Sequence, residues 1–444
     1  MNLLQSLRFD KQNKNGVISF VGSGGKTTAL FQLAKQIYQL RITDYVFATA
    51  TTHLGAWQTK FADRHIAVKD RKDLQGVPNE GVVLLTGATD GERTQPIAES
   101  VLTWLYEYSN KQNIPLLIEA DGSRQKPLKA PAEHEPPIPE FTDTIIYVVG
   151  LNAIGKPLND EHVHRPEIFS QLTNLEINES ITSESIIKAL THSQGGLKNI
   201  PRHAKKIALL NQADTSELQS VGGSMAKQLL NHFDSVLVGS LQQGNFQTFE
   251  KTAGVILAAG DSTRFGSPKQ LLEWKGKPFI RHIAETALQA DLQPVVVVTG
   301  IHHAEIKSCL QDLPVTAIQN QNYKNGQSES IKLGIKSLPD NIGASIFLLA
   351  DQPQIPAAVI KALKERHSET LSPIIAPLVL GERRANPVLF DKATFSDLLQ
   401  LTGDVGGRAI FDKHKVDYLP WHDDILMFDV DTREDYERLK GLEI

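Results

Sequence analysis

Val255-Ile256-Leu257-Ala258-Ala259-Gly260-Asp261-Ser262-Thr263-Arg264-Phe265-Gly266-Ser267-Pro268-Lys269 runs from an apolar strand into a Gly/Ser loop, and a helical pattern follows from Pro278 to Gln289. The same order occurs once before: an apolar run Gly16–Val21, a turn Gly22-Ser23-Gly24-Gly25, and an amphipathic stretch from Lys26 to Leu40. Two separate strand–loop–helix openings predict two α/β domains in tandem.

Working outward, the first half predicts strands at Val17–Val21, Tyr45–Ala50, Val82–Thr86, Pro115–Glu119, Thr144–Val149 and Lys206–Leu210. Helical patterns fall at Thr27–Leu40, Glu99–Asn110 and Glu217–His232. Short apolar runs alternating with helices imply a mostly parallel sheet covered on both faces. The second half predicts strands at Gly254–Ala259, Pro294–Thr299, Val315–Gln319 and Ser345–Ala350, then Ser372–Pro377 and Pro387–Phe390. The polar stretch Leu241–Thr252 shows no clear periodicity, which places domains at residues 1–245 and 250–444.

The 444 residues are 41% hydrophobic, enough for two packed cores. Lys and Arg number 46 against 51 Asp and Glu, a net charge of −5 that argues against a broad nucleic-acid grip. One cysteine, Cys309, excludes an internal disulfide framework and a Cys-rich metal cluster. Met1 to Asn15 carries no apolar signal core, and no run approaches the roughly 20 apolar residues of a membrane span. The expectation is a soluble cytoplasmic protein with no nucleic-acid or membrane partner.

Gly22-Ser23-Gly24-Gly25-Lys26-Thr27-Thr28 stands where a phosphate loop belongs, between strand and helix. Glycines let backbone N–H groups approach a phosphate, and the helix N-terminus adds partial positive charge. Lys26 would reach the terminal phosphates, and the Thr27 hydroxyl would ligate Mg²⁺. The full pattern wants a glycine where Phe20 stands; the shorter spacing resembles the Gly-x-x-Gly-Lys-Thr loop of Mur-type ligases. Leu116-Leu117-Ile118-Glu119-Ala120-Asp121 ends a strand in two carboxylates, with Asp121 a metal candidate or, alternatively, a turn cap. Thr51-Thr52-His53 ends another strand and would meet a γ-phosphate or merely cap a turn. Asn211-Gln212-Ala213-Asp214 matches the guanine-reading Asn-Lys-x-Asp pattern with Gln212 in the lysine position; an ordinary Asn/Asp turn is the alternative.

In the second half the loop backbone with Arg264 and Lys269 suits a triphosphate, since nucleotidyl transfer is mostly positioning and charge neutralisation. Asp351, ending the run Phe347–Ala350, is placed as a hard oxygen ligand for Mg²⁺. Asp429 and Asp431, two apart, offer two more carboxylates for the metal if their stretch is a strand and they share a face, or else cap the helix after Thr432.

These residues carry two family resemblances. Residues 10–240 resemble the selenium-cofactor biosynthesis protein YqeC family, through residues 20–28, Thr51-Thr52-His53, Glu119-Ala120-Asp121-Gly122-Ser123-Arg124, Lys126-Pro127-Leu128-Lys129-Ala130-Pro131, His134-Glu135-Pro136 and Val163-His164-Arg165. That resemblance implies a role in maturing selenium-dependent molybdenum hydroxylases, with ATP or GTP at the first loop and a client hydroxylase as partner. By position it makes Lys126, Lys129, His134 and Arg165 candidate anion contacts. Residues 252–444 resemble the MobA-like nucleotidyltransferases, closest to the molybdenum cofactor cytidylyltransferase branch. The matching residues are Leu257, Ala258, Ala259, Gly260, Ser262, Arg264, Phe265, Gly266, Lys269, Gly326, Gln327, Ser328, Ser330, Asp351-Gln352-Pro353, Asn386-Pro387-Val388, Gly403, Asp404, Gly406, Arg408 and Asp429–Asp435. Arg383-Arg384-Ala385 departs from the family's usual Gly-x-Pro lead-in, which puts the pterin-facing pocket in question.

The resemblances imply two three-layer α/β/α domains, the first P-loop NTPase-like and the second Rossmann-like. They imply transfer of CMP from CTP to a molybdopterin-type acceptor, with Ala259 screening against a purine. Arg264 and Lys269 would neutralise the triphosphate, Asp351 would hold Mg²⁺, and Gln327 and Ser328 would face base or ribose. The other readings are a nucleotide-gated chaperone in the first half and a sugar-phosphate acceptor in the second.

Overall fold

The computed structural model describes residues 1–10, 16–74, 76–260 and 265–442. The chain forms two compact units, Met1–Phe249 and Glu250–Ile444.

In the first unit the strands are β1 (Val17–Gly22), β2 (Tyr45–Ala50), β3 (Arg64–Ala67), β4 (Gly81–Thr86), β5 (Leu116–Glu119), β6 (Thr144–Gly150), β7 (Lys205–Asn211) and β8 (Ser235–Ser240). They pair in the order β8-β7-β6-β1-β5-β2-β4-β3, and every pairing is parallel. The central strands read as unbroken apolar runs because both faces are covered. Val17 and Val21 join one core with Phe47, Leu116 and Ile145. Ile18 and Phe20 join the opposite core with Val46, Leu117 and Ile146. Helix α1 (Lys26–Gln39) closes the second of these faces through Leu30, Leu33 and Ile37. Helices α2 (Glu99–Gln112) and α3 (Ser216–Leu229) cover the first through Val101, Leu105, Met225 and Leu229.

Strand β9 (Asn245–Ala258) corrects the expectation of an aperiodic linker at 241–252. Its first residues alternate, with Phe246 and Thr248 buried and Asn245 exposed, and they lie beside β8. In the second unit β9 pairs in parallel with β10 (Val295–Thr299), and β10 with β11 (Thr316–Gln319). On its other side β9 pairs in parallel with β12 (Ile342–Leu349). Strand β13 (Ile374–Val379) and strand β14 (Val388–Asp391) are antiparallel to each other, and β14 is antiparallel to β12. Strand β15 (Val416–Trp421) returns parallel to β13. The sheet is therefore mixed. Ile256 and Ala258 face a core made with α4 (Phe279–Gln289), while Val255 and Val298 face α5 (Gln327–Lys336).

In both units the parallel strands point their carboxyl ends to one edge, and loops after those ends are where such sheets bind ligands. Among the described residues no helix is long and apolar enough to cross a membrane.

Candidate functional site

The first loop leaves β1 at Gly22 and enters α1 at Lys26. Gly24 and Gly25 have φ of 72° and 127°, in the region that favours glycine. A Cβ on Gly24 would lie 2.5 Å from the Gly150 nitrogen, and one on Gly25 2.6 Å from Asn211 Nδ2. The loop therefore needs glycine both for its turn and for its packing.

The loop's N–H groups are divided. Ser23 donates to the Val148 carbonyl at 2.7 Å, and Gly24 to the Lys126 carbonyl at 3.0 Å. Gly22 donates to Asp121 Oδ2 at 3.0 Å. The first turn of α1, whose N-cap Gly25 offers no side chain, supplies the N–H groups left for an anion.

Lys26 is buried. Its Nζ donates to the Gly22 carbonyl at 2.7 Å and to Ser123 Oγ at 3.1 Å, and pairs with Asp121 Oδ1 at 3.1 Å. Lys129, expected as a loop anion contact, is 1% exposed at its side chain and bridges Asp121 at 3.0 Å and Glu135 at 2.9 Å. Arg165 holds Glu135 bidentately at 2.7 and 3.0 Å. Burial works to raise the Glu135 carboxyl, but the hydrogen bonds from Arg165 and Lys129 prevail and hold it at about 2. Burial, with the charges of Arg165 and Lys129, pushes His164 down to about 4, so its imidazole is neutral at pH 7. The motif segments thus form one buried relay, Lys26–Asp121–Lys129–Glu135–Arg165. Lys126 reaches instead to exposed Asp160 at 3.3 Å, and His134 lines a different hollow with Arg202 and His203.

Thr27 meets Glu119, not Asp121. Its hydroxyl donates to Glu119 Oε2 at 2.7 Å and accepts from Gln58 Nε2 at 3.1 Å. Glu119 is fully buried and its carboxyl is pushed up by desolvation, which Lys26 and Thr27 only partly offset. Asp121 is committed to Gly22, Lys26 and Lys129, so a metal ion at Thr27 would meet Glu119 rather than Asp121. Gln58 sits on a single 3-10 turn, Ala56–Phe61, and carries no motif to announce it. His53 Nδ1 lies 3.0 Å from the Thr94 carbonyl.

The second site surrounds a cleft of about 570 Å³ at the ends of β9 and β12. Leu257, Ala259, Gly260, Lys269, Gln327 and Asp351 line it; Ala258 does not. Ser262 and Arg264 lie outside the described residues. The loop is fastened by Gln270, whose Nε2 donates to the Gly260 carbonyl at 2.7 Å. Lys269 Nζ is 2.7 Å from Asp431 Oδ1. Gln327 opens α5, its N–H donating to Asp404 Oδ1 at 3.1 Å. Ser328 is fully buried and does not line the cleft, whereas Ser330 does.

Among the described residues Asp429 and Asp431 lie in no strand; between them the Val430 N–H donates to the Asp351 carbonyl at 3.3 Å. Asp429 accepts from Gln352 Nε2 at 2.6 Å, Asp431 turns to Lys269, and Thr432 with Asp435 caps α6 (Arg433–Lys440). Both carboxylates still bear on Asp351. Burial pushes the Asp351 carboxyl up to about 6; Lys269 opposes this, and Asp429 and Asp431 add to it.

Comparison with known proteins now places both halves. The YqeC protein family model matches residues 18–167, and the MobA-like NTP transferase domain model matches residues 254–418. The chain joins a YqeC-like half to a MobA-like NTP transferase half. The YqeC-like half is similar to the uncharacterized protein YqeC of Escherichia coli K12, 28% identical over 248 residues, 52% of this chain and 90% of that protein. The MobA-like half is similar to the nicotine blue oxidoreductase of Paenarthrobacter nicotinovorans, 29% identical over 197 residues, 42% of this chain and 95% of that protein. It is also similar to a probable molybdenum cofactor guanylyltransferase of Bacillus mycoides, 30% identical over 137 residues, 30% of this chain and 65% of that protein.

Proposed function

We propose that the MobA-like half transfers a nucleotidyl group from a nucleoside triphosphate to a molybdopterin-type phosphate, releasing pyrophosphate. The observation that carries this reading is Asp351: a half-buried carboxylate just past the end of β12, in the cleft that also holds Gly260 and Lys269, raised to about 6 by desolvation and by two further aspartates. A divalent ion fits such a site, because it would stabilise the ionised Asp351 carboxylate against desolvation and against the repulsion of Asp429 and Asp431. Among the described residues no group of three or more His, Cys, Asp or Glu could hold a metal by itself. That suits Mg²⁺, which is commonly held by one or two carboxylates and completed by substrate phosphates. Asp351 and Asp429 would hold it, and when bound it would draw charge from the α-phosphate as the acceptor attacks. Lys269, released from Asp431, would meet the leaving pyrophosphate, and Gln327 would orient base or ribose.

The donor nucleotide in this reading is CTP, on the strength of Ala259, which lines the cleft and whose methyl would crowd a purine. The similarity to a named guanylyltransferase supports the acceptor class more than the base. The YqeC-like half would bind ATP or GTP through residues 22–28 and serve the same maturation, selenium-dependent hydroxylases being its clients. The test is pyrophosphate release with CTP, GTP or ATP, Mg²⁺ and molybdopterin. CTP-dependent release supports the reading. Preference for GTP overturns the base assignment, and release only with a sugar phosphate overturns the acceptor.

A further inference from the structure

We propose that the phosphate loop of the first unit takes a guanine nucleotide, and that Asp214 reads its base. The inference rests on the reading that residues 22–28 hold the phosphates, and it adds the base.

Strands β1, β6, β7 and β8 are neighbours and parallel, so the segments that follow them open at one edge of the sheet. The phosphate loop follows β1, Asn211–Asp214 closes β7, and Leu241–Gly244 follows β8. Asn211 is 4% exposed and ties all three together. Its Nδ2 donates to the Gly24 carbonyl at 2.6 Å, and its Oδ1 accepts from the Leu241 N–H at 2.9 Å. Ala213 N–H donates to the Gly239 carbonyl at 3.0 Å, and Gln243 Nε2 to the Asp214 carbonyl at 3.0 Å. The backbone of Asp214 is thereby fixed relative to the loop, at most about 11 Å of chain from the residue that touches Gly24.

The Asp214 side chain is exposed and takes no hydrogen bond or ion pair among the described residues. An ionised carboxylate is an acceptor with two oxygens. Guanine alone among the common bases offers two adjacent donors on its pairing edge, N1–H and the 2-amino group. Adenine and cytosine set a ring-nitrogen acceptor beside their amino donor, and the carboxylate repels it. Gln212 supplies an independent pointer. Its Oε1 is buried without a hydrogen-bond partner, and it lies so near Gly150 that a Cβ there would stand 1.9 Å from it. A buried acceptor left open beside the phosphate loop's neighbour strand calls for a donor, and a ribose hydroxyl would be one.

The experiment is equilibrium binding of GDP, ADP, CDP and XDP to the full chain, comparing wild type, Lys26→Ala, Asp214→Asn and Asp214→Ala. Subtracting the Lys26→Ala signal removes binding at the second unit. The Lys26-dependent binding should favour GDP over ADP and CDP by at least about tenfold. Asp214→Asn should lose about 100-fold for GDP, the worth of two charge-assisted bonds. It should gain XDP, because an amide presents one acceptor and one donor to the N1–H and O2 of xanthine. That gain cannot come from a misfolded variant. Lys26-dependent binding that ignores the base, or an Asp214→Asn ranking unchanged from wild type, overturns the proposal and leaves the phosphate loop standing. Absence of any Lys26-dependent binding overturns the phosphate loop and the base reading together.

Discussion

The two loops share a strand–turn–helix framework and differ in charge. Around the first, three cations, Lys26, Lys129 and Arg165, alternate with two carboxylates, Asp121 and Glu135, and burial pushes Glu119 toward its neutral form. Around the second, Asp351, Asp429 and Asp431 gather about Lys269. At the first loop a phosphate would meet Lys26 and the N-terminus of α1, with Thr27 and Glu119 beside them for a metal, whereas at the second the carboxylates would hold a nucleotide through a metal ion. On the proposed reading, similar openings of the chain would set up different ways of holding a nucleotide.

The largest expected effect separates the two by metal. Chelating Mg²⁺ with EDTA should cut pyrophosphate release by about 10³-fold or more, the scale of losing the dominant electrostatic term. Lys26-dependent nucleotide binding, measured by dialysis, should change by less than about tenfold. Equal loss at both sites would break the comparison.

Stability should separate them next. Lys129→Met leaves Asp121 and Glu135 buried with one partner fewer and should cost about 3–5 kcal/mol in urea unfolding. A cost near zero would show that the relay is solvated. The acid limb sharpens the point. Glu135 is held at about 2 when folded, against an ordinary value near 4.5. The unfolded chain therefore binds the proton first as pH falls. The stability Glu135 contributes is complete above about 4.5 and is lost as pH drops toward 2, roughly 2 kcal/mol once solvent screening is allowed for. Glu135→Gln should flatten that limb, and an unchanged slope would place Glu135 outside the network. The smallest effect belongs to the second loop. Lys269→Ala breaks a pair whose partner Asp431 is 68% exposed and should cost less than about 1 kcal/mol, although it impairs pyrophosphate release.

Much of this was legible in the sequence. Runs such as Tyr45–Ala50 and Val82–Thr86 read as strands because strands buried on both faces are apolar throughout. The linker reading of 241–252 failed on polarity, although Phe246 and Thr248 alternate with polar neighbours in a half-buried register. Asp429-Val430-Asp431 erred in the opposite direction: alternation without a partner strand makes no strand, and Val430 is buried in a small cluster with Phe265 and Phe279 instead. The strand-end carboxylates were visible, but which one meets Thr27 depends on where Lys129 lies, and that is set by the parallel pairing of Leu128–Lys129 with Val163–His164. Gln58 arrives from an irregular turn, so no local pattern could have named it.

The most direct test is pyrophosphate release from CTP with molybdopterin and Mg²⁺, measured for wild type, Lys26→Ala and Asp351→Ala. The account predicts that Asp351→Ala abolishes release and that Lys26→Ala stays within about twofold of wild type, since the two loops serve separate nucleotides. Release that survives Asp351→Ala, or that falls with Lys26→Ala, would contradict it.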